Sequence, residues 1–232
     1  MPKLDKISFA YPGIELFQDF SMDIPEGSIS CILGPSGCGK TTLLHLISQI
    51  LNPISGKISG FPESSFSYIF QETRILPWRT VYQNIAFPLL DKMDPAEVRD
   101  KTEKYIKLVE LSDWSDQYPS KLSGGMNQRI AIARAFAFPS HTILMDEAFR
   151  GLDLGLKNKV FEIFLRSWRE EPRTVIFVTH DLDEAIYLGK YIQVLSRAPI
   201  TRAKGFELDG EPGPYRITNK SIMKEIRELL EN

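Results

Sequence analysis

A glycine-rich segment between an apolar run and a helical pattern has the composition of a phosphate-binding loop. Residues 34–41 read Gly-Pro-Ser-Gly-Cys-Gly-Lys-Thr, which matches the spacing G-x-x-x-x-G-K-[ST] after the apolar run 29–33. Glycines let the backbone curl so that its N–H groups point at phosphate oxygens, and the start of the next helix adds a partial positive charge. Lys40 would neutralise the β- and γ-phosphates, and the Thr41 hydroxyl would bind Mg²⁺. A glycine-rich turn with a chance lysine explains less of this pattern.

Two further apolar runs end in side chains that could complete a hydrolytic site. Residues 143–145 lead into Asp146 and Glu147, and residues 174–179 lead into His180. Ligands of open α/β sheets gather at the carboxyl ends of the strands. There Asp146 could bind Mg²⁺, Glu147 could orient and deprotonate a water, and His180 could contact a γ-phosphate. The alternatives are that the acidic pair caps a helix and that the histidine is structural.

A second candidate anion site lies far along the chain from Lys40. Residues 122–126 read Leu-Ser-Gly-Gly-Met and open a helical pattern. By itself this is a good helix cap, but a serine hydroxyl and unpaired N–H groups at a helix start also attract anions. One nucleotide needs only one such cradle in each chain. The second cradle therefore makes sense if it faces the nucleotide of another copy.

These segments require a sheet and helices that hold them in place. Strand-like patterns occupy 7–11 and 29–33, and helical spacing follows over 42–51. The pattern then turns helical as far as about residue 138, with Asp94-Pro95 as a predicted helix start. Buried-type strands return at 142–145 and 174–178, each followed by a helical stretch, and an apolar stripe predicts a terminal docking helix. This order predicts an α/β protein with a parallel-sheet core and an inserted α-helical lobe.

The composition is that of an ordinary globular protein. The chain has 232 residues, of which 43% are hydrophobic and 25% charged, with a net charge of −2. This balance argues against a nucleic-acid partner. Cys31 and Cys38 lie too close in sequence to staple a fold, which favours a reducing compartment. No secretory signal or apolar run of spanning length is visible, so any membrane crossing would fall to another chain.

Taken together, these motifs resemble the ATP-binding cassette (ABC) family over nearly the whole chain. The resemblance implies a P-loop NTPase (RecA-like) core with an N-terminal antiparallel β part and an inserted helical lobe. It implies one ABC ATPase domain over 1–232, with the nucleotide-binding core at 1–71 and 139–232 and the helical lobe at 72–138. Two cassettes of this family pair head to tail, so that each ATP lies between one phosphate loop and the partner's signature motif.

The resemblance also assigns roles to individual residues. Tyr11 would stack on adenine, and Gln71 would reach Mg²⁺ and the attacking water. Glu147, His180 and Gln71 would be catalytic, and the metal would be held by Thr41, Gln71 and Asp146. The phosphates would be held by Gly34, Pro35, Ser36, Gly37, Cys38, Gly39, Lys40, Thr41 and Thr42. The γ-phosphate of the partner's nucleotide would be faced by Ser123, Gly124 and Gly125.

The implied function is an ATP-hydrolysing subunit that powers uptake of a small solute. Residues 71–81 resemble the nitrate, sulfonate and taurine importer branch. The expected cofactors are ATP and Mg²⁺. The expected partners are a second copy, a membrane permease and, indirectly, a solute-binding protein, which places the chain peripherally at the cytoplasmic face of the membrane. The alternative is a nucleotide-sensing regulatory subunit, which would predict a degenerate Glu147 or His180.

Three positions depart from the family's pattern. Met126 replaces the commoner glutamine of the signature motif, as it often does in that importer branch. Ala148 stands where proline usually follows the catalytic glutamate, so φ is unrestricted there and the aim of Glu147 is less fixed. Arg150 replaces a small residue just before the segment Gly151-Leu-Asp153, the family's D-loop.

Overall fold

The computed structural model describes residues 1–62, 66–214, 216 and 220–231. The chain divides into two compact units, the first made of Met1–Phe66 and Arg173–Asn232 and the second of Ser67–Pro172.

Strands and helices alternate in the C-terminal part of the chain, after a strand-rich beginning and a helical middle. The strands are β1 (Lys3–Tyr11), β2 (Ile14–Asp23), β3 (Ile29–Leu33), β4 (Ser55–Ser59), β5 (Phe66–Ile69), β6 (Thr142–Asp146), β7 (Thr174–Thr179), β8 (Tyr191–Leu195) and β9 (Ile200–Glu207). The α-helices are α1 (Lys40–Ile47), α2 (Val81–Ala86), α3 (Pro95–Leu108), α4 (Gly124–Ala137), α5 (Leu154–Glu170), α6 (Leu182–Leu188) and α7 (Lys220–Glu231). No helix in the described ranges is both long and apolar enough to cross a bilayer.

The first unit is built on a sheet with the strand order β4-β1-β2-β9-β8-β3-β7. Its N-terminal part is antiparallel, since β1 pairs in that sense with both β2 and β4. The strands β8, β3 and β7 are parallel, with Leu33 of β3 opposite Thr179 and Val194. Between the two parts, β9 runs antiparallel to β8 and parallel to β2. All residues of β3 and β7 are buried, as expected for strands covered on both faces. Because β3 and β7 are parallel, the segments that follow them leave the sheet at the same end, beyond the carboxyl ends of the two strands.

The second unit packs helices around an aromatic core and also contains β5 and β6, which are neighbours. The ring of Phe136 lies 5.6 Å from that of Phe164 and 6.4 Å from that of Tyr105, measured between centroids. The helix α3 begins where the sequence predicts, because the Asp94 carboxylate accepts hydrogen bonds from the Ala96 and Glu97 amides at 2.9 and 3.0 Å.

The structure confirms the predicted strands and extends them by a few residues. The first predicted helix is shorter than expected, because α1 ends at Ile47 rather than at residue 51. The helix α7 packs against β8 through the predicted stripe, with Ile226 fully buried. The strands β2, β4, β5, β8 and β9 were not predicted individually from the sequence. The division into a core of 1–71 and 139–232 and a lobe of 72–138 stays a prediction.

Candidate functional site

The phosphate loop is a strained turn whose shape depends on glycine. Gly37 and Gly39 have φ of 79° and 107°, values that residues with a Cβ rarely adopt. A Cβ on Gly39 would also lie 2.9 Å from the side chain of Leu16 in β2. Gly39 is the residue that caps α1, and it has no side chain to occupy the first amides of the helix. The loop therefore presents main-chain N–H groups at a helix start, as an anion site requires.

Lys40 is held inside the same loop. Its ammonium donates hydrogen bonds to the carbonyls of Gly34 at 2.8 Å and Pro35 at 2.9 Å, and the residue is 5% exposed. Two carbonyl acceptors keep this buried cation beside the curled backbone. A positive charge beside such a turn is the arrangement that binds phosphate oxygens.

Cys38 packs within the loop. A Cβ on Gly34 would lie 2.9 Å from Cys38 Sγ, so the thiol fills the space beside that glycine. Burial raises the pKa of the Cys38 thiol, although the nearby Lys40 ammonium lowers it in part. The thiol therefore stays protonated, which favours packing over redox chemistry.

Tyr11 offers an aromatic face beside α1. It is the last residue of β1, is 42% exposed and packs edge-on against Phe9 at 5.1 Å. Its hydroxyl lies 3.4 Å from that of Thr42. An exposed ring tethered to the end of the phosphate loop is in the right place to stack on a nucleotide base.

His180 leaves the sheet next to the phosphate loop. It follows Thr179, which lies opposite Leu33, and Leu33 immediately precedes the loop. The Thr179 hydroxyl donates to the buried Glu184 carboxylate at 2.6 Å and accepts from the Asp181 amide at 3.0 Å. These bonds fix the chain on both sides of His180, whose side chain is exposed.

Asp146 is the last residue of β6 in the second unit, and Glu147 follows it. The three residues before Asp146 are buried, whereas both carboxylates are half-buried. Glu147 has φ of 42°, a left-handed conformation that is uncommon outside glycine. Its Oε2 accepts a hydrogen bond from Arg150 Nη1 over 2.8 Å.

Tyr68, in β5, lies close to Asp146. Burial raises the pKa of the Tyr68 phenol well above its ordinary value, and the Asp146 carboxylate raises it further. The phenol therefore stays protonated, and its buried hydroxyl has no hydrogen-bond partner among the described residues. The Tyr68 ring also stacks on Phe70, with centroids 4.1 Å apart.

Gln71 stands at the exposed start of a loop that α4 fixes. The Arg134 guanidinium donates to the Thr73 carbonyl at 3.0 Å and to the Arg74 carbonyl at 3.1 Å. Arg74 in turn lies 3.8 Å over the Phe70 ring. The loop after Gln71 is thus tied to the helix that begins at the serine-glycine motif.

The serine-glycine motif is an open helix start, as predicted. Ser123 caps α4, its hydroxyl accepting a hydrogen bond from the Met126 amide at 3.3 Å. Ser123 and Gly124 are exposed. A Cβ on Gly125 would lie 2.4 Å from Leu156, so only glycine fits between α4 and α5.

The predicted residues divide between the two units. The first unit groups Tyr11, the phosphate loop and His180, and the second holds Gln71, the serine-glycine motif, Asp146 and Glu147. Tyr68 was missed because it belongs to no motif, and the contacts of Arg134 were missed because the two carbonyls that it binds lie about 60 residues earlier in the chain. Arg150 was noted only as a departure from the family's pattern, because residues 147–150 form a turn, where no periodicity predicts a side-chain pair.

Comparisons with known proteins agree with these motifs. The sequence profile of the ABC transporter family matches residues 17–150. An aliphatic sulfonates import ATP-binding protein, SsuB of Bacillus cereus, is 37% identical over 222 residues, covering 93% of this chain and 86% of that protein. The dimeric structure of a bacterial ABC transporter cassette has a TM-score of 0.75 and 28% identity, covering 90% of this chain and 100% of that one.

A second similar structure was solved with the products of ATP hydrolysis bound. It is a dimeric post-hydrolysis cassette bound to ADP and phosphate, with a TM-score of 0.74 and 27% identity over 90% of this chain and 100% of that one. These likenesses confirm the predicted P-loop NTPase fold and the predicted ATPase activity. The chain belongs to the ABC transporter family, as one of its ATP-binding and ATP-hydrolysing cassettes.

Proposed function

We propose that this chain hydrolyses ATP, with Mg²⁺, to power uptake of a small solute through a separate membrane permease. The observation that carries the proposal is the phosphate loop, in which a buried lysine and positive-φ glycines surround a helix start. The similarity to an import ATP-binding protein supports the direction of transport. The solute-binding protein and the position at the cytoplasmic face follow from the same proposal.

Residues of the first unit bind the nucleotide. The amides of residues 34–42 and the Lys40 ammonium hold the phosphates, and Tyr11 stacks on the base. His180 donates a hydrogen bond toward the γ-phosphate. Its place at the strand end beside the loop supports this role.

Residues of the second unit supply the hydrolytic chemistry. The Thr41 hydroxyl of the first unit, the Gln71 amide oxygen and the Asp146 carboxylate are oxygen donors, which are the ligands that Mg²⁺ prefers. When bound, the metal neutralises charge on the phosphates. Glu147 accepts a proton from the attacking water. Intact Glu147 and His180 favour hydrolysis over the alternative of a purely sensory subunit.

A pair of copies forms the working unit. Ser123 and Gly124 are exposed at the start of α4, and a helix start with available N–H groups attracts a phosphate. The similar cassette structures are dimeric, which supports a pair. In the head-to-tail pair that we propose, this cradle faces the partner's ATP.

An exposed apolar patch supplies a docking surface for the permease. It consists of Trp78, Phe87 and Leu90, which are 70%, 47% and 54% exposed. The Arg79 guanidinium lies 4.5 Å over the Phe87 ring. Aromatic residues and arginine are enriched at interface hot spots, so this patch is suited to receive a short helix.

The experiment distinguishes a defect in docking to the permease from a defect in ATP hydrolysis itself. In the transporter assembled with its permease, replacing Trp78 and Arg79 together by alanine should abolish solute-stimulated ATP hydrolysis, while the basal ATPase of the isolated subunit stays near wild type. The matched control is Ile54→Ala, which removes a side chain of similar exposure, 71%, from the first unit and should keep the stimulation. Full stimulation in the double variant, or loss of its basal activity and thermal stability, would reject the docking surface.

A further inference from the structure

The side chain of Glu147 is held by a residue three positions later. Arg150 Nη1 donates to Glu147 Oε2 over 2.8 Å, and the Arg150 amide donates to the Glu147 carbonyl over 3.0 Å. One residue therefore fixes both the main chain and the carboxylate of Glu147. Ala148, which lies between them, does not restrict φ as a proline would.

We propose that Arg150 is a positioning residue that orients the Glu147 carboxylate for proton transfer from the attacking water. This inference rests on the proposed role of Glu147 as general base. It assigns a function to a side chain whose contact is with the Glu147 carboxylate itself.

The last side-chain torsion of glutamate is broad and leaves the carboxylate free to rotate. A planar guanidinium forms a directional, charge-assisted bond and limits that rotation. The pair uses Oε2, so the position of Oε1 becomes defined as well. A general base must lie within hydrogen-bond reach of the proton that it accepts, so a defined oxygen position favours turnover.

The same pair contributes little to the stability of the fold. The Arg150 side chain is 56% exposed, whereas that of Glu147 is 13% exposed. Ion pairs with a solvent-exposed partner are screened by water and are worth little. Removal of the guanidinium is therefore expected to change the orientation of the carboxylate rather than the folding of the chain.

The experiment is a double-mutant cycle on the purified full chain, with steady-state and single-turnover ATP hydrolysis as readouts. Arg150→Ala should lower kcat by about three- to tenfold, part of the typical effect of general-base catalysis, with KM changed less than about twofold. Arg150→Lys, which keeps the charge but not the planar fork, should fall between the wild type and Arg150→Ala. In a Glu147→Gln background, Arg150→Ala should have no further effect, since its target carboxylate is gone.

Arg99→Ala is the matched control. Arg99 is 62% exposed and pairs with Asp100 at 3.1 Å in the same unit, and its loss should leave kcat unchanged. An unchanged or raised kcat in Arg150→Ala would overturn the proposal. An equal loss in both backgrounds, a lower melting temperature or weaker ATP-dependent dimers would also overturn it, by placing the role of Arg150 elsewhere. A wild-type rate in Glu147→Gln alone would instead refute the proposed general base.

Discussion

The phosphate loop and the segment that carries Glu147 both follow a buried strand, yet they fix their functional groups in different ways. The loop is set by the backbone, through glycines at positive φ and a lysine enclosed by two carbonyls. The segment after β6 is set by side chains, since a half-buried carboxylate is held by an exposed guanidinium. If the loop binds the nucleotide and Glu147 is the base, as we propose, binding depends on a backbone shape that tolerates little change, whereas hydrolysis depends on a side-chain contact that one substitution can alter.

Loss of Lys40 should have the largest effect. Lys40→Ala removes the buried cation that lies among the loop carbonyls, and charge-assisted contacts to phosphate are the strong ones. We expect ATP hydrolysis near background and strongly weakened ATP binding, measured by phosphate release and by titration calorimetry. Lys57→Ala, which removes an exposed lysine from β4, is the control. Normal turnover in Lys40→Ala would mean that the loop is not the nucleotide site.

A methyl group on Gly39 should have the next largest effect. Gly39→Ala forces alanine to φ of 107° and places its Cβ 2.9 Å from Leu16. Left-handed conformations cost roughly 1–2 kcal/mol, so with the clash we expect Tm to fall by about 4–8 °C. We also expect ATP affinity to fall by about tenfold, since about 1.4 kcal/mol of distortion in the loop is enough.

Gly13→Ala is the control variant, because it adds backbone strain without a steric clash. Gly13 has φ of 79°, and a Cβ added there would have no heavy atom of the described residues within 4 Å, adjacent residues aside. It should show a small loss of Tm and normal ATP affinity. If Gly39→Ala loses no more Tm and no more ATP affinity than Gly13→Ala, the phosphate loop tolerates changes of shape. The contrast between the loop and the segment that carries Glu147 would then be wrong.

Local sequence patterns predicted the parts of the molecule that depend on local physics. The glycine spacing of residues 34–41 predicted the turn, and Asp94-Pro95 predicted a helix start, because both are set by neighbouring residues. The strand β9 was missed because it mixes charged and small residues and carries no clear alternation. Its pairing with β8 and β2 depends on residues far away in sequence.

In the candidate site, too, local features were predicted and long-range contacts were not. The motif residues were predicted one by one, whereas the contacts that hold them were not. The Arg134 guanidinium binds carbonyls about 60 residues earlier in the chain, at Thr73 and Arg74, and no periodicity encodes such a pair. The Tyr68 phenol near Asp146 likewise comes from strands that are neighbours only in the folded chain.

The most direct test of the whole account is a comparison of ATP binding and ATP hydrolysis in Glu147→Gln. If the loop binds and Glu147 acts as the base, this variant should bind ATP like the wild type and hydrolyse it at least about 10²-fold more slowly. It should also elute as a dimer on size exclusion with ATP and Mg²⁺, and as a monomer when Lys40→Ala is added. Hydrolysis at the wild-type rate, or a chain that stays monomeric with saturating ATP, would contradict the account.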